Sequence, residues 1–461
     1  MMIGLRKSIA GMMALSLASC SLIPDYQRPD VQSPAHWRGG NGQEESSPAI
    51  TRDWWTQFGS SELESLMLSA LEHNNDLRAA LHRIKQARAS MRVASAAFLP
   101  SVDSSAGASW DRNDPADGKT RSENSGHAGI GISYELDLFG ASRAALIAAQ
   151  AGAAGSVYDR DALALVVMGD VAETYFTFAS LRDRIRISEN NLKNSRDLLD
   201  IIQARFDAGA ISALEVSQQK TVVANSEASL ASIRQQQAAA ENALSILLGR
   251  APENLGLKIE NLETIALPGI APGQPSSLLE RRPDIRSAEQ GLIAANADIG
   301  AARAAFFPSV NLGLDASLVA SPIGDPLTKG LSLAGSLTAP IFSGGRLKGD
   351  LERARARQAE LMENYRKAVL VSFQETEDAL EAVKAAQQRR QAYETALAEA
   401  QKAYTLSRQL YDSGAVDFQT LLNAQDTLLS AEDRYSSVKL EALSAAIDLY
   451  KALGGGWKGT A

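Results

Sequence analysis

Apolar residues along this chain fall into two rhythms. In four short stretches they alternate with small or polar residues. Ala128, Ile130, Ile132, Tyr134 and Leu136 alternate with Gly129, Gly131, Ser133 and Glu135. Val310, Leu312, Leu314, Ala316 and Leu318 alternate with Asn311, Gly313, Asp315 and Ser317. Leu331 to Ala339 reads the same way, and Pro100 to Trp110 does so more weakly. Alternation of this kind over about ten residues predicts strands with one apolar face and one small, polar face, the length and pattern of a transmembrane barrel wall. Elsewhere the spacing is helical. Ser142 to Asp207 holds no proline, and Leu181, Ile185, Ser188, Leu192, Ser195, Leu199, Ile202 and Phe206 step by four and three, a coiled-coil seam broken by two serines. At 1.5 Å per residue such a helix reaches about 100 Å. Ser212 to Leu248 predicts a return helix, and Arg346 to Asp412 with Asp417 to Leu453 predicts a second hairpin of the same kind.

The pattern is written twice. "LRAALHRIKQARASMRVASAAFLPSV" aligns with "IRSAEQGLIAANADIGAARAAFFPSV" at an offset of 208, Leu77 against Ile285. "LFGASR" aligns with "IFSGGR" at 203, Leu138 against Ile341, and the turns "DAGAIS" and "DSGAVD" align at 205, Asp207 against Asp412. Each copy reads helix, strand, strand, long helix, return helix. A unit of about 205 residues is far longer than the 20 to 50 residues of a solenoid repeat. The organisation expected is a first repeat at 61–262 with strands near 99–111 and 127–138, a linker at 263–280, and a second repeat at 281–461 with strands near 307–319 and 330–341. The fold class is mainly α, two long helical hairpins with four transmembrane β-strands. Four strands cannot close a barrel and open edges are not tolerated in lipid, so several copies must share one wall.

The N-terminus changes the picture by giving a compartment. Arg6 and Lys7 precede an apolar run from Ser8 to Leu17 and then "LASC", where Cys20 is the only cysteine. A run of about ten is too short to span a bilayer and reads as a signal peptide, residues 1–19. Small residues before the cysteine form a bacterial lipobox, so Cys20 is expected to carry covalent lipid at the head of an arm covering 20–60. Ser21 follows it, where an Asp would argue for inner-membrane retention, so the outer membrane is expected. No later stretch offers about 18 consecutive apolar residues. The 461 residues are 45% hydrophobic and only 6% aromatic, with formal net charge −8, a balance that gives nucleic acid nothing to bind.

Enzymatic chemistry finds no foothold. His36, His73, His82 and His127 lack ligand spacing, no metal is implied, and no zinc-protease, nucleophile-elbow or nucleotide-loop motif is present. "SGGR" from Ser343 is read as a tight strand-to-helix corner rather than a phosphate cradle. No cofactor is expected beyond the lipid on Cys20.

Taken together, "CSLIPDYQRP" from Cys20, "WWTQFGSSELESLMLSALEHNNDL" from Trp54, "LLERRPDIRSAEQ" from Leu278, "AAFFPSV" and the closing "LYKALGGGW" resemble the outer-membrane efflux proteins, in the lipoprotein branch that serves resistance-nodulation-division (RND) pumps. The resemblance covers essentially the whole chain after the signal. It implies a homotrimer with one 12-stranded barrel in outer-membrane lipid, a periplasmic helical tunnel closed at its far end, and an equatorial belt. It also implies a periplasmic adaptor and an inner-membrane pump as partners. Asp207, Gly209, Ala210, Asp412, Gly414 and Ala415, at the two hairpin turns, are the candidate adaptor contacts. The resemblance further implies a gate a turn or two beyond the second tip. Matching residues here are Asp417, Phe418, Leu422, Asn423 and Asp426, with Asn423 standing where relatives often carry Asp.

Two other readings share much of this pattern: an exit duct for secreted proteins, and a non-pore structural trimeric lipoprotein. A solid bundle would line its inner strand face with large apolar residues, whereas Gly129, Gly131, Ser133, Asn311, Asp315 and Ser317 suit a wet lumen. A shared duct needs no chemically specific pocket, so the cargo is not written in this chain.

Overall fold

The computed structural model describes residues 22–39, 50–113, 121–259 and 261–457. Seven long elements are helical: α1 (Ser61–His73), α2 (Asn75–Ala96), α3 (Ala141–Asp207), α4 (Ala213–Leu247), α5 (Pro283–Ala304), α6 (Arg346–Asp412) and α7 (Phe418–Ala452). Four strands, β1 (Ser101–Asn113), β2 (Arg121–Leu136), β3 (Ser309–Ala320) and β4 (Thr328–Thr338), form one antiparallel sheet in the order β1-β2-β3-β4. Helices and strands thus recur in the order the repeat predicts. The chain divides into two compact units, one of residues Met1–Asp30, His82–Val157 and Arg286–Lys367, the other of Val31–Leu81, Tyr158–Ile285 and Ala368–Ala461.

The first unit holds the sheet. Its ladders bring Val102 opposite Ile132, Ile132 opposite Leu314 and Leu314 opposite Leu333, an apolar row across all four strands. The neighbouring row is Ser101, Ser133, Gly313 and Ala334, with the Ser101 and Ser133 hydroxyls 2.7 Å apart. Val102, Leu331, Leu333 and Leu337 are well exposed. An apolar face of that extent left uncovered suits lipid, not water. Among the described residues, β1 and β4 each have a neighbour on one side only.

Strand limits differ from the sequence reading in an instructive way. β1 and β3 begin directly after Pro100 and Pro308, and β4 stops short of Pro340, because proline has no N–H for a ladder. β2 begins at Arg121 rather than near 127. Its first residues, "RSENSG", have no apolar face and signal nothing by alternation, yet they continue the ladder with β1 out to Asn113.

In the same unit the N-terminal arm lies along α5. Arg303 donates to the Leu22 carbonyl (3.2 Å) and Asn296 to that of Pro24 (2.6 Å). Arg28 forks onto the Glu289 carboxylate at 2.7 and 2.8 Å. A Cβ on Gly300 would stand 2.5 Å from Ile23, so the arm's close approach depends on that glycine. Cys20 and residues 1–19, expected to form a signal peptide, lie outside the described residues.

The second unit is built on a buried cluster of Trp54, Phe58, Leu63, Met67, Val171, Tyr175, Phe176, Leu244 and Tyr450. Trp54 stacks on Tyr450 with ring centroids 5.0 Å apart. This cluster explains a feature of α3. One 18-residue window of the helix reaches a mean hydropathy of 1.4, enough by length and composition to cross a membrane, but more than half of it is buried. Its apolar residues serve this core, and Gly169, Asp170 and Glu173 interrupt any uniform run. The C-terminal Gly454, Gly455 and Gly456 all have positive φ and thread between the Arg281 carbonyl, Leu165 and Thr51, each within 2.6 Å of where a Cβ would sit. Trp457 follows and donates to Asp161 at 2.8 Å.

Candidate functional site at the helical hairpin tips

Both hairpin turns lie in the second unit and close in the same way. At the end of α3, Gly209 N–H donates to Phe206 and Ala210 N–H to Arg205; at the end of α6, Gly414 donates to Tyr411 and Ala415 to Leu410. These paired bonds satisfy the last carbonyls of each helix, and they require a left-handed residue at the turn. Gly209 and Gly414 supply it, with φ of 73° and 75°. Open space surrounds each, so the glycines are there for backbone conformation and not for crowding. Asp207 and Asp412 end their helices at the turns, and Ala208 to Ala210 and Ser413 to Ala415 are exposed.

Beyond the turns the copies diverge. Asp417 caps α7: its carboxylate accepts from the Thr420 N–H (2.9 Å) and the Thr420 hydroxyl (2.6 Å). Those hydrogen bonds hold its carboxyl below the usual carboxylate pKa. Ser212, its counterpart, makes no side-chain cap bond. Phe418 is buried with Tyr411, Leu198, Ile202, Val216 and Leu421. Its ring lies 5.7 Å from that of Tyr411. Phe418 thus packs behind the tip, against both helices of the first hairpin. Leu422 is half-buried on the edge of this cluster.

Arg205 ties the hairpins together. Its guanidinium sits 5.0 Å from the centre of the Tyr411 ring and 3.3 Å from an Asp412 oxygen. The Tyr411 hydroxyl reaches Glu215 at 3.4 Å, and burial pushes the phenol pKa up. Deeper in, Ser195 explains one of the two polar breaks in the α3 seam. Its hydroxyl accepts from Gln425 and its carbonyl from Gln219, both at 2.9 Å and both buried, so one serine pins α4 and α7 to α3. The other break, Ser188, lines a groove of about 530 Å³ together with Leu422, Asp426, Glu432 and Asp433. Arg184 pairs with Asp433 (2.8 Å), and Asn191 donates to Glu432 (2.7 Å), whose pKa burial raises. Asp426 is exposed on the groove wall, and Asn423 is exposed and accepts from Gln419 at 2.9 Å.

Of the residues singled out from sequence, the structure therefore brings Asp412, Phe418 and Leu422 into one tip cluster and leaves Asn423 and Asp426 on the surface. Arg205, Tyr411, Glu215, Gln219 and Gln425 were not singled out. A buried glutamine interrupting a seam is invisible without knowing which serine it meets. The aromatic pair flanking the second turn, absent from the first, was a usable signal. Among the described residues, no three His, Cys, Asp or Glu side chains are grouped to hold a metal ion.

An open sheet with a lipid-type face and a small, polar face, joined in each repeat to a 67-residue helix, defines the protomer of an outer-membrane channel. The sequence profile of the family described as outer membrane efflux protein matches residues 66–250 and 274–455. The chain belongs to that family. It is 36% identical over 454 residues to the pyoverdine export outer membrane protein OpmQ of Pseudomonas aeruginosa, covering 96% of this chain and 95% of that one. It is 34% identical over 465 residues to the toluene efflux pump outer membrane protein TtgI of Pseudomonas putida, covering 98% of each. Among solved structures it is similar to the CmeC outer membrane channel of Campylobacter jejuni (TM-score 0.88, 25% identity, 95% and 96% of the two chains). It is also similar to the open state of the MtrE outer membrane channel of Neisseria gonorrhoeae (TM-score 0.84, 30% identity, 95% and 99%).

Proposed function

We propose that the chain is the outer-membrane duct of a tripartite efflux system, a passive channel carrying small toxic compounds or secreted metabolites from the periplasmic side to the exterior. The observation that carries this reading is the sheet, whose apolar face is exposed, whose other face is small and polar, and whose two edges are both unpaired. Three copies supply 12 strands, enough to close a wet barrel. Relatives named for pyoverdine export and toluene efflux support a chemically broad cargo, with selection made by the pump. The work of transport is likewise the pump's; this chain supplies a path and no reaction.

Within that reading, Cys20 carries the lipid anchor, and the tips around Gly209, Ala210, Gly414 and Ala415, with Asp207 and Asp412, meet the periplasmic adaptor. The gate is formed by Asp426, Asn423 and Leu422, with Phe418 holding the helix that presents them and Asp417 capping it. Three copies of Asp426 about a threefold axis give a ring that favours cations. A strain lacking this gene should accumulate more of an efflux dye such as ethidium than its parent, with accumulation returning to normal on complementation. Unchanged accumulation, with adaptor and pump present, contradicts the efflux assignment.

A further inference from the structure

The repeat places the same corner at two points of the sheet, and among the described residues only one has its partner within the chain. Phe139, between β2 and α3, stacks on Phe307, between α5 and β3, with centroids 4.7 Å apart and planes 22° from parallel. The copy of Phe139 is Phe342, which is 91% exposed; the copy of Phe307 is Leu99, which is 69% exposed. Phe342 follows β4 and Leu99 precedes β1, the two strands with an unpaired edge. Each half of the contact is therefore present on every chain, at opposite edges of the sheet.

Resting on the trimeric duct proposed above, we infer that β4 of one copy pairs antiparallel with β1 of the next in a defined register, locked at its periplasmic end by Phe342 packing on Leu99 of the next copy. The register follows from the β2–β3 ladder, which sets Leu136 opposite Val310. Carried across the repeat, by 203 for β2 to β4 (Leu138 against Ile341) and 208 for β3 to β1 (Val310 against Val102), that pair becomes Ala339 opposite Val102. Ser332 then faces Ser109, and Leu331 faces Trp110.

Side-chain chemistry agrees along the seam. Leu331 and Trp110, both largely exposed in the single chain, become neighbours on the lipid face. On the lumen face Ser332 joins Ser109, whose hydroxyl already lies 2.8 Å from that of Ser125. A slip of one residue would turn every leucine of β4 toward the lumen. Slips of two keep the faces, and the β1–β2 and β3–β4 ladders do differ by two across the repeat: Val102 faces Ile132, but Val310 faces Leu337, not Gly335. Barrel geometry bears on these. With the proposed seam each copy advances the register by about six residues, and a ~3.3 Å rise with ~4.8 Å strand spacing then sets a tilt of about 45°, within the range of closed barrels. A slip of two in one direction steepens this to about 54°, outside that range; the other gives about 35°, which crosslinking separates.

Oxidising Ser109→Cys/Ser332→Cys protein in outer-membrane vesicles should give a covalent ladder ending at the trimer, while the single variants, which retain Cys20, should not. Ser109→Cys with Gly330→Cys or with Ala334→Cys should crosslink poorly. If trimers are intact on native gels yet the link forms from position 330 or 334, or from none of the three, the register is wrong while the duct reading stands. If the unmodified protein forms no trimer, the duct reading falls and the seam with it. For the corner, Phe342→Ala and Leu99→Ala should each lower the temperature at which trimers dissociate, and the double variant should lower it no further than the worse single. Fully additive losses overturn that contact.

Discussion

The two hairpin tips are the same turn put to different uses. Gly209 and Gly414 share φ within two degrees, the same pair of closing hydrogen bonds and the same open surroundings. What differs is what flanks them. The first tip has Phe206, partly exposed, and Ala213; the second has Tyr411 and Phe418 at the matching positions, both buried against helices of the first hairpin. Duplication thus preserves the backbone device, and the residues that depart from the repeat make the contacts between copies. Asymmetry is where a two-copy protein can hold one hairpin against the other.

Removing the aromatic anchor should have the largest effect. Phe418→Ala empties a fully packed site and should cost about 3–5 kcal/mol, whereas Phe206→Ala, at the position matching Tyr411, should cost well under half of that. Thermal unfolding of the detergent-solubilised protein measures both. Equal losses would mean the tips are not asymmetric in energy. The turns themselves should behave alike. Gly209→Val and Gly414→Val each force a β-branched residue to positive φ and should cost about 1–2 kcal/mol, with no steric clash to separate them.

A smaller effect is expected from Arg205→Ala, which cuts the link to Tyr411 and Asp412. Both charges are partly exposed, so the stability change should stay below about 1 kcal/mol, while bilayer recordings should show more frequent openings. The smallest difference lies at the caps. Asp417→Ala should lower stability measurably and Ser212→Ala should not, because only Asp417 bonds to its helix. Since the folded pKa of Asp417 is depressed, its contribution is present above the ordinary carboxylate pKa and fades as pH falls through the lowered value. The gap between Asp417→Ala and the parent should therefore close in strong acid.

How much of this was legible beforehand follows from the range of each signal. The ends of the four hairpin helices were readable to within a residue or two, since proline, glycine and a turn repeated at offset 205 are local signals. Strand faces were readable because alternation has period two, and β2's polar beginning was not, because only pairing with β1 makes "RSENSG" a strand. The three consecutive glycines near the C-terminus could be noticed but not explained. Their reason is the crowding of Thr51, Leu165 and Arg281, residues far apart in sequence. Ser195 looked like a flaw in a seam and is instead the meeting point of two glutamines from other helices. Asp417 and Phe418 were placed at the gate by position alone. Their geometry makes one a cap and the other a buried prop, while Asn423 and Asp426 stand exposed and Leu422 half-buried.

Whether three copies make a gated water-filled duct can be read from single-channel recording of the purified trimer in planar bilayers. A gated duct should give discrete, cation-preferring conductance that is small in the parent, rises in Arg205→Ala and loses cation preference in Asp426→Asn. Intact trimers that insert but pass no current in any of the three would contradict it and leave a structural spacer in place of a channel.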